Sequence, residues 1–296
     1  MSKRRIETQS SRTAAYTCFS RGCATRERDV RFRGPDDMAE IMFPPLPKLA
    51  LKVAPLRKFL MRQMFPPGIH EYVLARTKVL DAVFSDALEA RFMQIVLLGA
   101  GFDTRALRFA GQNRGTKVFE LDVATTQQPK IDILRRKKVP LPQELTFVSI
   151  DFNKDDLFET LSRAGYQERQ KSLFLWEGVT MYLTAQAVDR TLDFICRHAA
   201  AGSRVAFDYI YASVVRHENR YYGEQGIFET VSKAGEGWTF GLEDGAIGVF
   251  LAERGFEIVA HYTPPELEKL YLTAEDGTPH GRVNGTHCIV VAAVKS

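Results

Sequence analysis

The stretch VLLGAGFDTR, Val96–Arg105, decides the fold of this 296-residue chain. A short apolar run ends directly on a pair of glycines, and glycine lets the backbone of a turn approach a ligand closely. Open α/β sheets bind ligands at this carboxyl end of their strands, at a topological switch point. The stretch therefore predicts a strand, a helix start and, between them, a turn that binds a ligand through Gly99, Ala100 and Gly101. A tight turn without a ligand is the alternative.

Apolar runs alternate with amphipathic segments around this turn, which is typical of a parallel sheet with crossover helices. Strands are predicted at 94–98, 117–121, 146–150, 172–176, 204–209, 256–261 and 287–294, and helices at 71–90, 103–110, 125–138, 154–164, 185–199 and 243–254. The predicted fold class is α/β, a Rossmann-like sheet of roughly seven mostly parallel strands with helices on both faces. We expect the last strand to be inserted antiparallel.

Acidic residues follow two of these strands. Glu120 and Asp122 end the second strand in FELD, about twenty residues after the turn, where a carboxylate can accept both hydroxyls of a ribose. The alternative for either acid is a solvated strand end. Asp151 ends the third strand in SIDF, where it could accept a hydrogen bond from an adenine amino group while Phe152 packs on the ring. Asp151 could instead cap the next helix, a role for which Asn153 is equally placed.

The fourth strand ends in LWEG, which brings Glu177 to the same edge, where it could hold an ammonium group. Arg76, on the helix before the first strand, could fork onto a carboxylate, with an exposed surface arginine as the alternative. Sulfonium and ammonium groups are both positive, so an edge that collects Asp122, Asp151 and Glu177 favours S-adenosylmethionine over a phosphate-bearing cofactor. Thr104 stands where the dinucleotide fingerprint needs its third glycine, which argues against a nicotinamide cofactor.

These segments, taken in order, resemble the leucine carboxyl methyltransferase-like family, in particular its bacterial branch of S-adenosylmethionine-dependent methyltransferases associated with polyketide O-methylation. The resemblance covers roughly residues 10–210 and rests on SRTAAY (11–16), ARTKVLD (75–81), LLGAGFDTRALR (97–108), FELD (119–122), FVSIDF (147–152) and LWEGVTMYLT (175–184). It implies the class I methyltransferase fold, with S-adenosyl-L-methionine as the methyl donor. It also implies roles for particular residues: Arg76 and Gly99 at the methionine part of the donor, Asp122 at the ribose, Asp151 and Phe152 at the adenine, and Glu177 at the amino-acid end.

The Pro-rich stretch 41–68 and an aromatic-rich cap at about 210–242 depart from the resembling family and are expected to choose the methyl acceptor. Residues 1–70 form a basic, Pro-rich helical or lid segment, in which residues 1–62 carry a net charge of +8 against +4 for the whole chain. Residues 71–296 form the donor-binding α/β domain, with an aromatic-rich cap inserted at about 210–242 that is longer than an ordinary connection.

The predicted activity is O-methylation of a small-molecule carboxylate or hydroxyl, of the polyketide kind. A carboxylate acceptor is already ionised and needs only cations, for which Arg12 and Arg21 are candidates. A hydroxyl needs a base, and the candidate bases are Tyr182, His217 and His261, each with a structural role as the alternative. Acceptor identity, pathway and oligomeric state, a homo-oligomer included, are left open by the sequence.

The composition of the chain limits the classes of binding partner and the location that we expect. The basic segment lacks a helical Lys/Arg stripe or interleaved aromatics, so no nucleic-acid partner is expected. Its apolar stretch 41–68 is broken by six prolines, and neither a signal peptide nor a membrane span is expected. Four scattered cysteines suggest reduced thiols, a cytoplasmic protein and no metal site.

Three rival functions remain. The same family includes enzymes that esterify the C-terminal carboxylate of a protein, and the resemblance does not choose between the two kinds of acceptor. A nicotinamide-dependent oxidoreductase shares the fold. A non-catalytic protein could keep the donor pocket as a ligand sensor.

Overall fold

Seven strands form one sheet in the part of the chain that the structure, a computed structural model, describes: residues 11–44, 48, 51–152, 154–234 and 237–295. They are β1 (Gln94–Leu98), β2 (Lys117–Asp122), β3 (Leu145–Ser149), β4 (Ser172–Trp176), β5 (Arg204–Ile210), β6 (Phe256–Tyr262) and β7 (His287–Val294). Their order across the sheet is β3-β2-β1-β4-β5-β7-β6. Strands β1 to β5 pair in parallel, and β7 is antiparallel to both of its neighbours. The predicted Rossmann-like α/β fold, with its antiparallel last strand, is confirmed.

The glycine turn lies where the strand order reverses. Strand β1 pairs with β2 on one side and with β4 on the other. Strands β2 and β3 therefore lie on one side of β1, and the chain then crosses over to add β4 and β5 on the other side. This arrangement creates a switch point at the carboxyl end of β1, where ligands of open α/β sheets bind.

Helices pack on the sheet, and further helices precede it in the N-terminal part of the chain. In the described ranges they are α1 (Arg12–Ala24), α2 (Ala54–Met64), α3 (Ile69–Glu89), α4 (Arg105–Arg108), α5 (Ala124–Arg136), α6 (Leu157–Arg163), α7 (Ala185–His198), α8 (Ala212–Val215), α9 (Glu224–Ala234), α10 (Ile247–Ala252) and α11 (Pro264–Tyr271). None of them is both long and apolar enough to cross a membrane.

Two helix predictions differ from the structure in instructive ways. Helix α10 is shorter than the predicted 243–254 because Gly245 adopts a φ of +76°, which ends the preceding turn before the helix begins. Helix α11 was not predicted, although Pro264 stands at its first turn and the Thr263 backbone N–H donates to the Glu266 carboxylate at 2.7 Å. Both are helix-start signals.

The hydrophobic core has one cluster on each face of the sheet. Along β1, Ile95 and Leu97 belong to one cluster and Val96 and Leu98 to the other, since neighbouring side chains of a strand point to opposite faces. Helix α3 completes the first cluster and α7 the second. Because both faces are covered, every residue of β1 is buried, and its sequence shows a continuous apolar run rather than an alternating one.

Candidate functional site

A cavity of about 430 Å³ opens at the carboxyl edge of the sheet. It is of the size and mixed polarity of small-molecule sites. Seven of the eight residues predicted to bind the donor line it: Arg76, Gly99, Ala100, Gly101, Asp122, Phe152 and Glu177. The topology thus brings together side chains that lie up to about a hundred residues apart in the sequence.

The glycine turn has the conformation that its residues predict. Gly99 and Gly101 have φ values of +71° and +51°, in the left-handed region that favours glycine. A Cβ atom on Gly99 would lie 2.5 Å from Cγ2 of Val179. Any other residue at this position would therefore clash with Val179 and would also have a strained backbone. The turn cannot accept a side chain at Gly99 without moving.

Asp122 is fastened to this turn. Its carboxylate accepts hydrogen bonds from the Gly101 N–H at 2.5 Å and from the Val123 N–H at 2.7 Å. Burial raises the pKa of Asp122 to about 6, against the opposing effect of these two backbone donors. Each carboxylate oxygen has two lone pairs, so Asp122 can still accept hydrogen bonds from a ligand.

Glu120, predicted together with Asp122 at the ribose position, has another role. It lies one step deeper along β2, where its buried carboxylate pairs with the ammonium of Lys130 from α5. Burial raises the pKa of Glu120 to about 7 in spite of this cation. As a ribose ligand, the prediction for Glu120 is wrong, because α5 covers that part of the strand.

Asp151 and Phe152, which were both predicted at the adenine, lie in different surroundings. Phe152 lines the cavity, whereas Asp151 does not and pairs with Lys154 at 3.0 Å. The helix cap considered for Asp151 belongs to Asp156, whose side chain accepts from the Glu159 N–H at 2.8 Å. Asn153, the other candidate cap, lies outside the described residues. The contact of Asp151 with an adenine stays a prediction.

Arg76 and Glu177 form a buried ion pair in the cavity wall. Nε of Arg76 lies 2.9 Å from Oε1 of Glu177, and Nη1 of Arg76 donates to Asp208 at 2.6 Å. Arg76 is only 4% exposed, so its alternative as a surface arginine is wrong. Both atoms of this ion pair are buried, and neither makes a further hydrogen bond among the described residues.

The acidic edge predicted from the sequence is in fact balanced by arginines. Glu177 accepts a second ion pair from Arg105 at 2.7 Å, and Asp81 pairs with both Arg105 and Arg108 at 2.8 and 2.6 Å. Burial alone would raise the pKa of Glu177, but Arg105, Arg76 and Arg21 together hold it well below its usual range. The argument that uncompensated carboxylates at this edge favour a positively charged ligand is therefore wrong. The sequence pattern shows the acidic residues but not the arginines that pair with them in the fold.

The two arginines proposed for an acceptor carboxylate lie apart. Arg21 lines the cavity, but its Nε donates to the buried Asp36 at 2.7 Å and its Nη2 to the carbonyl of Phe102 at 2.6 Å. Arg12 is not among the cavity residues.

The other half of the cavity is apolar. Helix α1, the segment after α2 and the cap contribute most of its wall: Tyr16, Phe65, Ile69, Val73, Tyr182, Ile227, Val231 and Trp238. The rings of Tyr182 and Trp238 meet at a centroid distance of 6.4 Å in an edge-on arrangement. The ends of the cap are held side by side, since the Leu242 N–H donates to the carbonyl of Ile210 at 2.9 Å.

Of the three candidate bases, only Tyr182 lines the cavity. His217 is exposed and packs against Phe228, 3.9 Å between ring centroids, on the outer side of the cap. His261 lies on β6 beside Tyr209, whose hydroxyl is 2.9 Å from its Nε2. The predictions for His217 and His261 are therefore wrong for this cavity.

His287 lines the cavity and was missed. It is the first residue of β7, and a strand inserted antiparallel starts at the edge where its parallel neighbours end. The predicted direction of β7 could have placed this histidine in the site only together with the position of β7 next to β5.

Comparison with known proteins finds a matching family and several bacterial relatives. The family model described as leucine carboxyl methyltransferase matches residues 34–196. Two bacterial relatives carry the name "Putative S-adenosyl-L-methionine-dependent methyltransferase". The one from Mycobacterium sp. (strain JLS) is 31% identical over 218 residues, 69% of this chain and 68% of the relative. The one from Streptomyces coelicolor is 29% identical over 195 residues, 64% of this chain and 63% of the relative.

The match is partial for several of these relatives. The chain spans 63% of the length of the Streptomyces protein and 46% of the length of a similarly named protein of Frankia alni. Among solved structures, an O-methyltransferase family protein from Burkholderia thailandensis is 11% identical, with a TM-score of 0.48 over 76% of this chain and 58% of its own.

Proposed function

Since this chain belongs to the leucine carboxyl methyltransferase family, we propose that it binds S-adenosylmethionine and transfers its methyl group to an oxygen atom of a small, apolar molecule. The observation that carries the proposal is the shared cavity. One half contains the glycine turn, Asp122 and the Arg76–Glu177 pair, and the other half is lined by apolar and aromatic side chains.

The residues of the first half fit the methyl donor. Asp122 would accept the ribose hydroxyls through the lone pairs that Gly101 and Val123 leave free. Phe152 would pack on the adenine. Arg76 and Glu177, which both line the cavity, suit the carboxylate and ammonium of an amino acid, which need one donor and one acceptor at a short separation.

The donor supplies an activated methyl group, and the protein's task is to hold an acceptor oxygen in line with it and to exclude water. The cap and the N-terminal segment serve the second purpose, since Ile227 and Trp238 of the cap and Tyr16 of α1 line the cavity. An apolar wall of this kind supports a hydrophobic acceptor of the polyketide kind. A protein C-terminal carboxylate would be a competing acceptor, and an acceptor screen separates the two.

We expect Asp122→Ala to weaken S-adenosylmethionine binding by about tenfold to a hundredfold, the loss of hydrogen bonds to one charged group at about 1.5–3 kcal/mol. The measurement is calorimetric titration with S-adenosylmethionine, S-adenosylhomocysteine and NAD. Asp132→Ala is the matched control, since the Asp132 side chain lies on the surface of α5, where it contacts only its helix neighbours Gln128 at 2.9 Å and Arg135 at 3.5 Å among the described residues. Binding of NAD alone, or of none of the three, would overturn the proposal.

Binding of the donor is expected to release a proton near pH 6. Hydroxyl donors favour the ionised carboxylate, so binding lowers the pKa of Asp122, which is about 6 in the free protein. As the pH falls through this value, free Asp122 takes up a proton that binding must remove. Affinity should then fall by up to about tenfold per pH unit. The donor's own amino and carboxyl groups titrate outside this window, at about 8 and 3.5.

The control for this pH dependence is Asp122→Asn, which keeps an acceptor oxygen and cannot titrate. Titrations in two buffers of different ionisation enthalpy count the released protons directly. An equal pH slope in the wild type and the Asn variant would mean that another group is responsible.

A further inference from the structure

His287 occupies a position from which it can reach an acceptor. It pairs with Ile210, the last residue of β5, so its backbone lies at the carboxyl edge of the sheet, on the side of β4 away from the donor turn. Its side chain is 5% exposed and lines the cavity. The ring packs against Tyr72 at 4.5 Å and stands edge-on to Trp238 at 5.4 Å, between ring centroids.

A chain of hydrogen bonds fixes the tautomer of His287. The Asn284 amide donates from Nδ2 to the carbonyl of Pro67 at 2.9 Å and accepts at Oδ1 from the Thr286 N–H at 3.2 Å. These two backbone partners exclude a flipped amide, because a carbonyl cannot donate and an N–H cannot accept. Oδ1 of Asn284 is therefore an acceptor.

The same chain continues to the imidazole. Oγ1 of Thr286 lies 2.6 Å from Oδ1 of Asn284, so the single hydroxyl proton is donated there. Oγ1 is also 2.7 Å from Nδ1 of His287, and it can only accept in that contact. Nδ1 must then carry the ring proton, which leaves the lone pair on Nε2. Nε2 has no hydrogen-bond partner among the described residues.

Burial keeps the ring of His287 neutral. Burial lowers the pKa of His287 to about 4, with Asp208 on β5 opposing this effect and Arg76 on α3 adding to it. The hydroxyl of Tyr72, also on α3, faces away from the ring nitrogens because it donates to Asp208 at 2.8 Å. At neutral pH the imidazole is thus a base with a free lone pair, while Asp208 is close enough to stabilise the imidazolium once it forms.

The cavity provides little electrostatic stabilisation for a carboxylate acceptor. The cationic side chains among its described lining residues are Arg21 and Arg76. Arg21 is paired with Asp36, and Arg76 with Asp208 and Glu177. An acceptor carboxylate would enter an apolar wall without a cation of its own, at a desolvation cost that a neutral hydroxyl does not have.

On the basis of the proposed methyl transfer, we propose that His287 is its catalytic base and that the acceptor is an aromatic molecule with a phenolic or enolic hydroxyl. As the acceptor oxygen forms its bond to the methyl carbon, its proton moves to Nε2 of His287. The carbon–sulfur bond breaks with its electron pair left on sulfur, which gives S-adenosylhomocysteine, and the imidazolium later releases the proton to water. A weak base matches an acidic hydroxyl such as a phenol better than an aliphatic alcohol. Tyr182 and Trp238 provide ring surfaces for an aromatic acceptor.

The test compares three probes with the wild type, His287→Gln and the control His261→Gln, a histidine outside the cavity. The probes are 2-naphthol, 4-nitrophenol, which is largely ionised at mildly alkaline pH, and 2-naphthoic acid, which presents a carboxylate on the same ring system. Methylated product is measured by mass spectrometry. Donor binding is measured separately by calorimetry, so a failed proposed function shows as an absence of S-adenosylmethionine binding.

With 2-naphthol, His287→Gln is expected to lower kcat by about a hundredfold to ten-thousandfold, the range of a general base, while the KM and donor affinity change by less than about threefold. The loss should shrink as the pH rises toward the pKa of naphthol, and it should be small for ionised 4-nitrophenol. A purely structural role would reduce the rates of both phenols alike and would overturn the inference. So would preferential methylation of 2-naphthoic acid, or no methylation of either phenol by protein that binds the donor.

Discussion

Arg105→Met is expected to lower the free energy of unfolding by about 3–5 kcal/mol, the cost of removing one partner from a buried ion pair. Arg105 is 2% exposed, and its guanidinium donates to Asp81 at 2.8 Å and to Glu177 at 2.7 Å. Met has a similar length and fills much of the same space, so most of the effect comes from the buried carboxylates Asp81 and Glu177, each of which loses one of its two cations. Urea denaturation with linear extrapolation measures it.

Arg135→Met is the matched control. Arg135 is on the surface of α5, with a side chain 74% exposed, and it pairs with Asp132 at 3.5 Å. An exposed pair of this kind contributes at most about 1 kcal/mol. Equal losses in the two variants would show that the buried network does not stabilise the fold in the way its geometry suggests.

The network that contains Arg105 links the donor site to the N-terminal segment. Glu177 connects Arg105 to Arg76, and Asp81 connects Arg105 to Arg108. On the far side, Arg108 lies 3.4 Å from Asp36, which also accepts from Arg21 and precedes the Pro-rich stretch. A segment that covers the cavity is thereby tied through charges to the carboxylate expected to hold the donor's ammonium.

The sequence predicts the parts of this site that depend on strand ends. Strands β1, β4 and β7 have the predicted bounds, because a fully buried strand is a continuous apolar run and polar residues mark its end. Asp122 and Glu177 follow from the same rule, since parallel strands end at one edge. These inferences need only the chain order and the direction of each strand.

The side chains that form ion pairs and hydrogen bonds with one another do not follow from the rule for strand ends. Asp208 is buried within β5, 132 residues after Arg76, and only the folded sheet brings them together. Glu120 and Asp122 are equivalent in pattern, and their roles separate only because α5 covers one and not the other. His287 required both the direction of β7 and the knowledge that β7 lies next to β5. Each is a consequence of tertiary packing that no local pattern contains.

Gly99→Ala is expected to lower the free energy of unfolding by about 2–5 kcal/mol, from backbone strain and from overpacking together. The residue has a φ of +71°, and its new Cβ would lie 2.5 Å from Cγ2 of Val179. To relieve this contact the turn must shift, so S-adenosylmethionine affinity should fall by more than about tenfold, a loss of about 1.4 kcal/mol. Urea denaturation and calorimetric titration measure the two effects.

A second substitution separates the two causes. Val179→Ala removes the atom that the new Cβ would meet, so in the double variant the overpacking disappears and the strain stays. The coupling energy between the two sites should be favourable by about 0.5–3 kcal/mol, and donor affinity should recover with it. Gly115→Ala gives the strain alone, since Gly115 has a φ of +102° with open space around its Cβ position. Additive effects of Gly99→Ala and Val179→Ala would mean that strain in the turn, rather than contact with Val179, excludes a side chain at the point where the donor is expected to bind.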